Sequence, residues 1–151
     1  MSIKISKVLK AKGQLYRSNR PKGLPDLKAI KEKEIYTVIS LEEGWASLLG
    51  WPMEKELWSK YFGKFISLPM SNIFPPSLEA CEVVNKHIVN AKSPLLVHCY
   101  SGVDRTGYVI AYHLAKNKIL TPAQAWEYAV GTGQHFWFRW WRRSFMKMFM
   151  V

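Results

Sequence analysis

The chain has 151 residues, 48% of them apolar, 14% aromatic and 22% charged; this length suits one domain with a sizeable core, and the composition excludes a disordered or fibrous polymer. Its 22 Lys and Arg against 11 Asp and Glu leave a formal charge of +11, which favours anionic partners such as phosphate esters, nucleic acid or acidic lipid without choosing among them. No apolar run reaches the ~18 to 20 residues of a membrane-crossing helix, Met1–Lys12 intersperses Ile with Lys where a signal peptide would build an apolar core, and two cysteines, Cys81 and Cys99, are too few for a disulfide framework.

A cytoplasmic protein of one domain over residues 1–151 is therefore expected. A short basic lead precedes Gln14 to Ser18 (QLYRS), which reads as a strand, and Asn19 to Pro25 is rich in turn formers. Asp26 stands where a helix should start, with Leu27, Ile30 and Ile35 on its buried side; Ile35 to Leu41 (IYTVISL) is β-branched enough for a buried strand. Trp45 to Phe62, carrying Trp45, Trp51 and Trp58, predicts a partly helical excursion. Lys64 to Leu68 then reads as a strand and Pro69 to Pro76 (PMSNIFPP) as a loop. Ser77 can cap a helix over Leu78 to Ala91, whose apolar positions Leu78, Cys81, Val84, Ile88 and Ala91 recur at helical spacing. Pro94 to Val97 is a continuous apolar run, the mark of a strand buried on both faces, and leads through His98 to Asp104 into a helix near Arg105. Two more helices, about Thr121 to Val130 and Phe136 to Met150, finish an alternation that predicts an α/β fold with a central, mostly parallel sheet flanked by helices.

His98-Cys99-Tyr100-Ser101-Gly102-Val103-Asp104-Arg105-Thr106-Gly107 sets a cysteine at the end of a buried strand and an arginine six positions later at a helix start. A tight loop entering a helix aims successive backbone N–H groups at one spot, and the helix dipole adds positive potential there. Such a cradle binds an oxyanion and favours Cys99 as a thiolate nucleophile. Tyr100, Ser101, Gly102 and Val103 form its wall, and Gly102 allows close backbone approach. The planar fork of Arg105 matches two phosphoryl oxygens and can follow the charge that spreads in an in-line displacement.

These residues resemble the HC-x5-R-[ST] signature of the cysteine-dependent protein tyrosine phosphatase superfamily, most nearly its small dual-specificity members. Weaker likeness covers most of the chain: LYRSNRP before a helix, IYTVISL, then FISLP with a Pro-Pro loop. The resemblance implies a dual-specificity phosphatase-like fold and hydrolysis of phosphate monoesters, with phosphotyrosine or dual-specificity protein substrates favoured. It implies no metal or cofactor. Cys99 would form a phosphocysteine, Arg105 would bind the phosphoryl group, Thr106 would stabilise the departing thiolate and His98 would order the loop.

The superfamily's general acid is an Asp on the loop matched here by PMSNIFPP, where Ser71 and Asn72 stand instead, and no Asp or Glu lies between Glu56 and Glu79. Asp104 is the leading alternative donor, because myotubularin-like and Sac-type phosphoinositide phosphatases look similar in carrying Asp-Arg-Thr; Asp26 is the reserve. The alternative role for Asp104 is to order the loop. HCYSGVDRTGY also resembles the loop of RNA 5′-triphosphatases in capping enzymes, whose leaving group needs little protonation. An RNA 5′-phosphatase, a phosphoinositide phosphatase and a catalytically weak phosphate-binding pseudophosphatase are thus the rival readings.

Trp137, Trp141, Phe145, Met148 and Phe149 gather on one side of the last helix, with Arg139, Arg142, Arg143 and Lys147 on another. This is either the last core helix or a face that docks on acidic membrane or RNA. Cys81 is either packed or a resolving thiol for Cys99. His87, His113 and His135 stand alone and predict surface or satisfied core residues.

Overall fold

A five-stranded sheet organises the chain, and its apolar pattern explains why helices cover both of its faces. The computed structural model describes residues 3–8, 11, 14–42, 54–131 and 138–150. These form β1 (Ile5–Lys7), β2 (Leu15–Ser18), α1 (Leu24–Glu32), β3 (Thr37–Ser40), α2 (Glu54–Tyr61), β4 (Lys64–Ser67), α3 (Leu78–Val89), β5 (Leu95–His98), α4 (Asp104–Lys116), α5 (Pro122–Ala129) and α6 (Phe138–Lys147). The strand order is β1-β2-β5-β3-β4, parallel throughout except for β1, which pairs antiparallel with β2 at the edge. The α/β fold with a mostly parallel sheet is thus as the sequence predicts.

Side chains of a strand alternate between faces. Leu95 and Val97 of β5 and Ile39 of β3 enter one cluster, which also holds Cys81, Val84 and Ile88 of α3 and the stretch of α4 from Tyr108 to Tyr112 with Leu114 and Ala115. Leu96 and Val38 enter the other, with Leu27 and Ile30 of α1 and Trp58 of α2. The Trp58 indole N–H donates to the carbonyls of Tyr36 and Lys64, each at 3.1 Å, stitching α2 to the β3–β4 pair. Because β2, β5, β3 and β4 run the same way, the segments leaving their carboxyl ends gather at one edge of the sheet, where open α/β sheets place their ligands.

Several boundaries differ from the sequence reading. The basic lead contains β1, whose Ile5 pairs with Ser18 and whose Lys7 pairs with Tyr16. Helix α1 begins two residues before Asp26, because Pro25 is tolerated in a first turn that needs no N–H from it. Asp26 is consequently no cap residue; its carboxylate accepts from the Lys22 N–H at 2.7 Å. Ser77 does cap α3, accepting from the Ala80 N–H at 3.1 Å, but Leu78 and Ala91 face solvent. Helix α5 starts on a complete capping box, with Thr121 and Gln124 bonding reciprocally. Trp45, Trp51, His135 and Trp137 lie outside the described residues.

Helix α6 is a core helix on one side: Trp141 and Phe145 are buried and meet Tyr108 of α4 edge to face at 5.9 and 5.5 Å. Cys81 is fully buried, and desolvation followed by the nearby Glu82 carboxylate pushes its thiol up to about 12. That makes it a packing residue at neutral pH and not a nucleophile. Among the described residues, no helix is long and apolar enough to cross a membrane.

Candidate active site

The segment from β5 to α4 forms a tight loop whose conformation needs glycine. Gly102 has φ +78°, and a Cβ there would stand 2.5 Å from the Ser18 carbonyl oxygen. That position combines a left-handed backbone with a close approach between chain segments, so only glycine fits it. The Gly102 N–H points at the Cys99 sulfur, with N–Sγ 3.3 Å, and Cys99 is 1% exposed. Val103 opens α4 without any side-chain cap. Ser101 Oγ accepts from the Val103 N–H, Asp104 lies partly buried in the first helical turn, and Tyr100 is exposed at the rim.

Arg105 is buried in the first turn of α4. Its Nη1 donates to the carbonyls of Leu41 and Met70 at 3.4 and 3.2 Å, tying the end of β3 and the β4–α3 loop to the cradle. Nε and Nη2 keep the two-pronged edge that matches a phosphoryl group. Thr106 is fully buried, and its hydroxyl has no hydrogen-bond partner among the described residues.

Four charged residues to which the sequence analysis gives no role, Arg17, Arg20, Glu42 and Glu54, complete the setting around His98 and the loop. His98 is fully buried; Nε2 meets Glu54 Oε2 at 2.7 Å and Nδ1 meets the Cys99 carbonyl oxygen at 3.3 Å. Both partners are acceptors, so both bonds are donated only by the imidazolium. Burial alone would lower its pKa, but the Glu54 carboxylate, with help from Glu42 and the Cys99 carbonyl, raises it to about 9. Glu42 lies 4.0 Å from Nδ1 and is held by Arg20, whose Nε donates to it at 2.7 Å. Charges therefore alternate from Arg20 through Glu42 and His98 to Glu54, and the cation in this chain adjoining Cys99 is an imidazolium.

Arg17 supports the loop from the β2 side. Nη2 and Nε donate to the Gly102 carbonyl at 2.7 and 3.3 Å, and Nη1 to the Ala129 carbonyl at 2.7 Å. Burial lowers its pKa, against the opposing pull of Cys99 and Tyr128. The available signal was an arginine within the short strand predicted over Gln14 to Ser18. Glu42 and Glu54 had no such signal, because their partners are set by the fold. Beside the loop, Lys4, Arg17, Arg20 and Lys22 line a cleft of about 400 Å³ with Tyr100 at its edge; Arg20 covers the Tyr100 ring at 4.7 Å.

The His98 charge yields a pH prediction. A folded-state pKa of about 9 lies above the ordinary histidine value of 6.5, so the bound proton stabilises the fold fully below pH 6.5, and that contribution is lost as pH rises through about 9. Linkage makes it about 3 kcal/mol. Urea melts of the wild type should show this fall between pH 6.5 and 9, and Glu54→Gln should remove most of it. An unchanged slope in the variant would reject the ion pair as its source.

Elements, loop and buried arginine together define a phosphatase domain of the dual-specificity type. Solved structures share this fold. Kinase associated phosphatase (KAP) superposes with TM-score 0.80 at 16% identity, covering 98% of this chain and 94% of that one. Tk-PTP in its active form gives 0.73 at 19%, with 91% of each chain covered. PTPMT1 in complex with PI(5)P gives 0.73 at 13%, with 95% of each covered. The family described as PTP-SAK, the DSP-PTPase phosphatase domain of Swiss Army Knife proteins, matches residues 6–144, and the chain belongs to it. No curated protein matches the chain in sequence.

Proposed function

We propose that the domain hydrolyses phosphate monoesters through a phosphocysteine on Cys99, with phosphotyrosyl and other aryl esters favoured. The observation that carries this reading is the buried Cys99 sulfur facing the Gly102 N–H, one residue from an imidazolium, with the buried Arg105 at the start of the helix that the loop enters. The sulfur attacks phosphorus while the guanidinium and loop N–H groups hold the equatorial oxygens. The P–O bond to the leaving group breaks, and that oxygen takes a proton. Water then adds to phosphorus and the P–S bond breaks. The buried, unpartnered Thr106 hydroxyl is suited to donate to the departing thiolate.

The proton source is Asp104 in this reading. In the β4–α3 loop, Ser71 Oγ accepts from the N–H groups of Ile73 and Phe74 at 3.0 and 3.1 Å, so it serves that loop's own turn. Glu42 and Glu54 are committed to Arg20 and His98. Asp104 also takes back the proton of the attacking water, so the cycle closes. A positioned acid is worth ~10²- to 10⁴-fold, and most where the leaving oxygen is a basic alkoxide. Asp104→Asn should therefore lower kcat about 100-fold on alkyl phosphates and far less on p-nitrophenyl phosphate. Equal loss on both would make Asp104 a loop-ordering residue. Phosphotyrosyl peptides should turn over faster than matched phosphoseryl peptides; the reverse order would overturn the aryl preference.

One observation favours a second reading, a phosphate-binding module with little turnover: the β4–α3 loop has no carboxyl group. The two readings diverge on an activated ester, as argued in the Discussion.

A further inference from the structure

The outer side of α6 carries a surface that the phosphatase reaction does not use. Trp141 and Phe145 bury one side of the helix. Trp140, Arg143 and Lys147, spaced by three and four residues, share another and are exposed, as is Arg139. Trp140 is 43% exposed and meets Phe74 of the β4–α3 loop edge to face at 5.7 Å; Phe74 is 62% exposed and its neighbour Ile73 50%. The Trp141 indole N–H donates to the Ile73 carbonyl at 2.9 Å, so loop and helix form one fixed platform. Residues 128 to 151 include no Asp or Glu, so no side-chain carboxylate of that stretch offsets these cations.

We propose that this platform docks the domain on an anionic lipid surface. Two features choose lipid. Trp and Phe beside Arg and Lys is the composition of an interfacial anchor, with rings entering the headgroup boundary and cations meeting acidic headgroups. Ile73, beside the aromatic pair, gains from burial at an acyl boundary and nothing from stacking on bases. The edge-to-face pairing also leaves the two rings perpendicular, at 82°, unlike a platform for successive bases. The same loop reaches the catalytic cradle, because the Met70 carbonyl accepts from Arg105; the docked face is therefore continuous with the loop that contacts the phosphoryl clamp. This inference does not depend on turnover.

Sedimentation of the full chain with vesicles at 0.15 M salt tests it. The protein should pellet with phosphatidylcholine vesicles containing phosphatidylserine and stay in solution with phosphatidylcholine alone. Arg143→Glu with Lys147→Glu should weaken binding roughly tenfold or more and leave p-nitrophenyl phosphate turnover and the far-ultraviolet spectrum unchanged. Phe74→Ser with Trp140→Ser should also weaken it, judged on protein whose melting temperature shows an intact fold. Absence of binding to the acidic vesicles, equal binding by the charge-reversed variant, or RNA binding that acidic vesicles fail to compete away would each overturn the proposal.

Discussion

Cys99→Ser is expected to lower turnover of p-nitrophenyl phosphate by roughly 10⁴-fold or more, while orthovanadate binding and thermal stability stay near wild type. The sulfur is the proposed nucleophile, and a serine hydroxyl, bound to the same Gly102 N–H, is not ionised at neutral pH. p-Nitrophenolate leaves with little proton assistance, so the missing loop carboxyl does not mask the chemistry. Steady-state assays of both proteins decide between the readings. Turnover by wild type alone supports the phosphatase; none by either, with vanadate still bound, supports the binding module; undiminished turnover in the variant would falsify the nucleophile assignment.

Arg105→Lys is expected to cost roughly 10³-fold in kcat, a large effect for a change that keeps the charge. In the proposed reaction Arg105 faces two demands at once: Nη1 holds the Leu41 and Met70 carbonyls, while its remaining donors would hold the phosphoryl oxygens. A lysine ammonium is a point charge on a flexible stem and cannot bridge these carbonyls and present a planar fork together. Vanadate inhibition should weaken alongside kcat, which distinguishes a lost clamp from a merely loosened loop. Retention of more than a tenth of the wild-type rate would reject the clamp.

The central strand and its loop were legible in the sequence for a physical reason. A strand buried on both faces must be apolar without interruption, and Pro94 to Val97 is. A glycine at positive φ between a cysteine and an arginine leaves few other uses for that spacing. Helix α3 was legible through Ser77 and the Cys81, Val84 and Ile88 stripe. The edge strand β1 was obscured because Lys4, Ser6 and Lys7 surround its one isoleucine, Ile5, as befits a strand that leaves one side unpaired. The start of α1 was misplaced because Pro25 breaks helices everywhere except in the first turn.

The charged support of the site was less visible for a different reason. Glu54 meets His98 across 44 positions of sequence, and Arg17 meets Gly102 across 85. Local periodicity carries no record of such pairs, which exist only once the sheet has brought its strand ends together. His98 itself was identified, but as a hydrogen-bonding residue. Its positive charge follows from two acceptors on one ring, a fact of three-dimensional placement.

Helix α4 is buried from Arg105 through Ala115, and at Gly107 it lies so close to α5 that a Cβ would stand 2.5 Å from the Ala129 carbonyl oxygen. The element that presents the proposed phosphoryl clamp is therefore also the keel of the fold. A substitution that loosens the keel should therefore lower turnover, and an inhibitor that grips the proposed reaction centre should slow amide exchange along the whole buried helix.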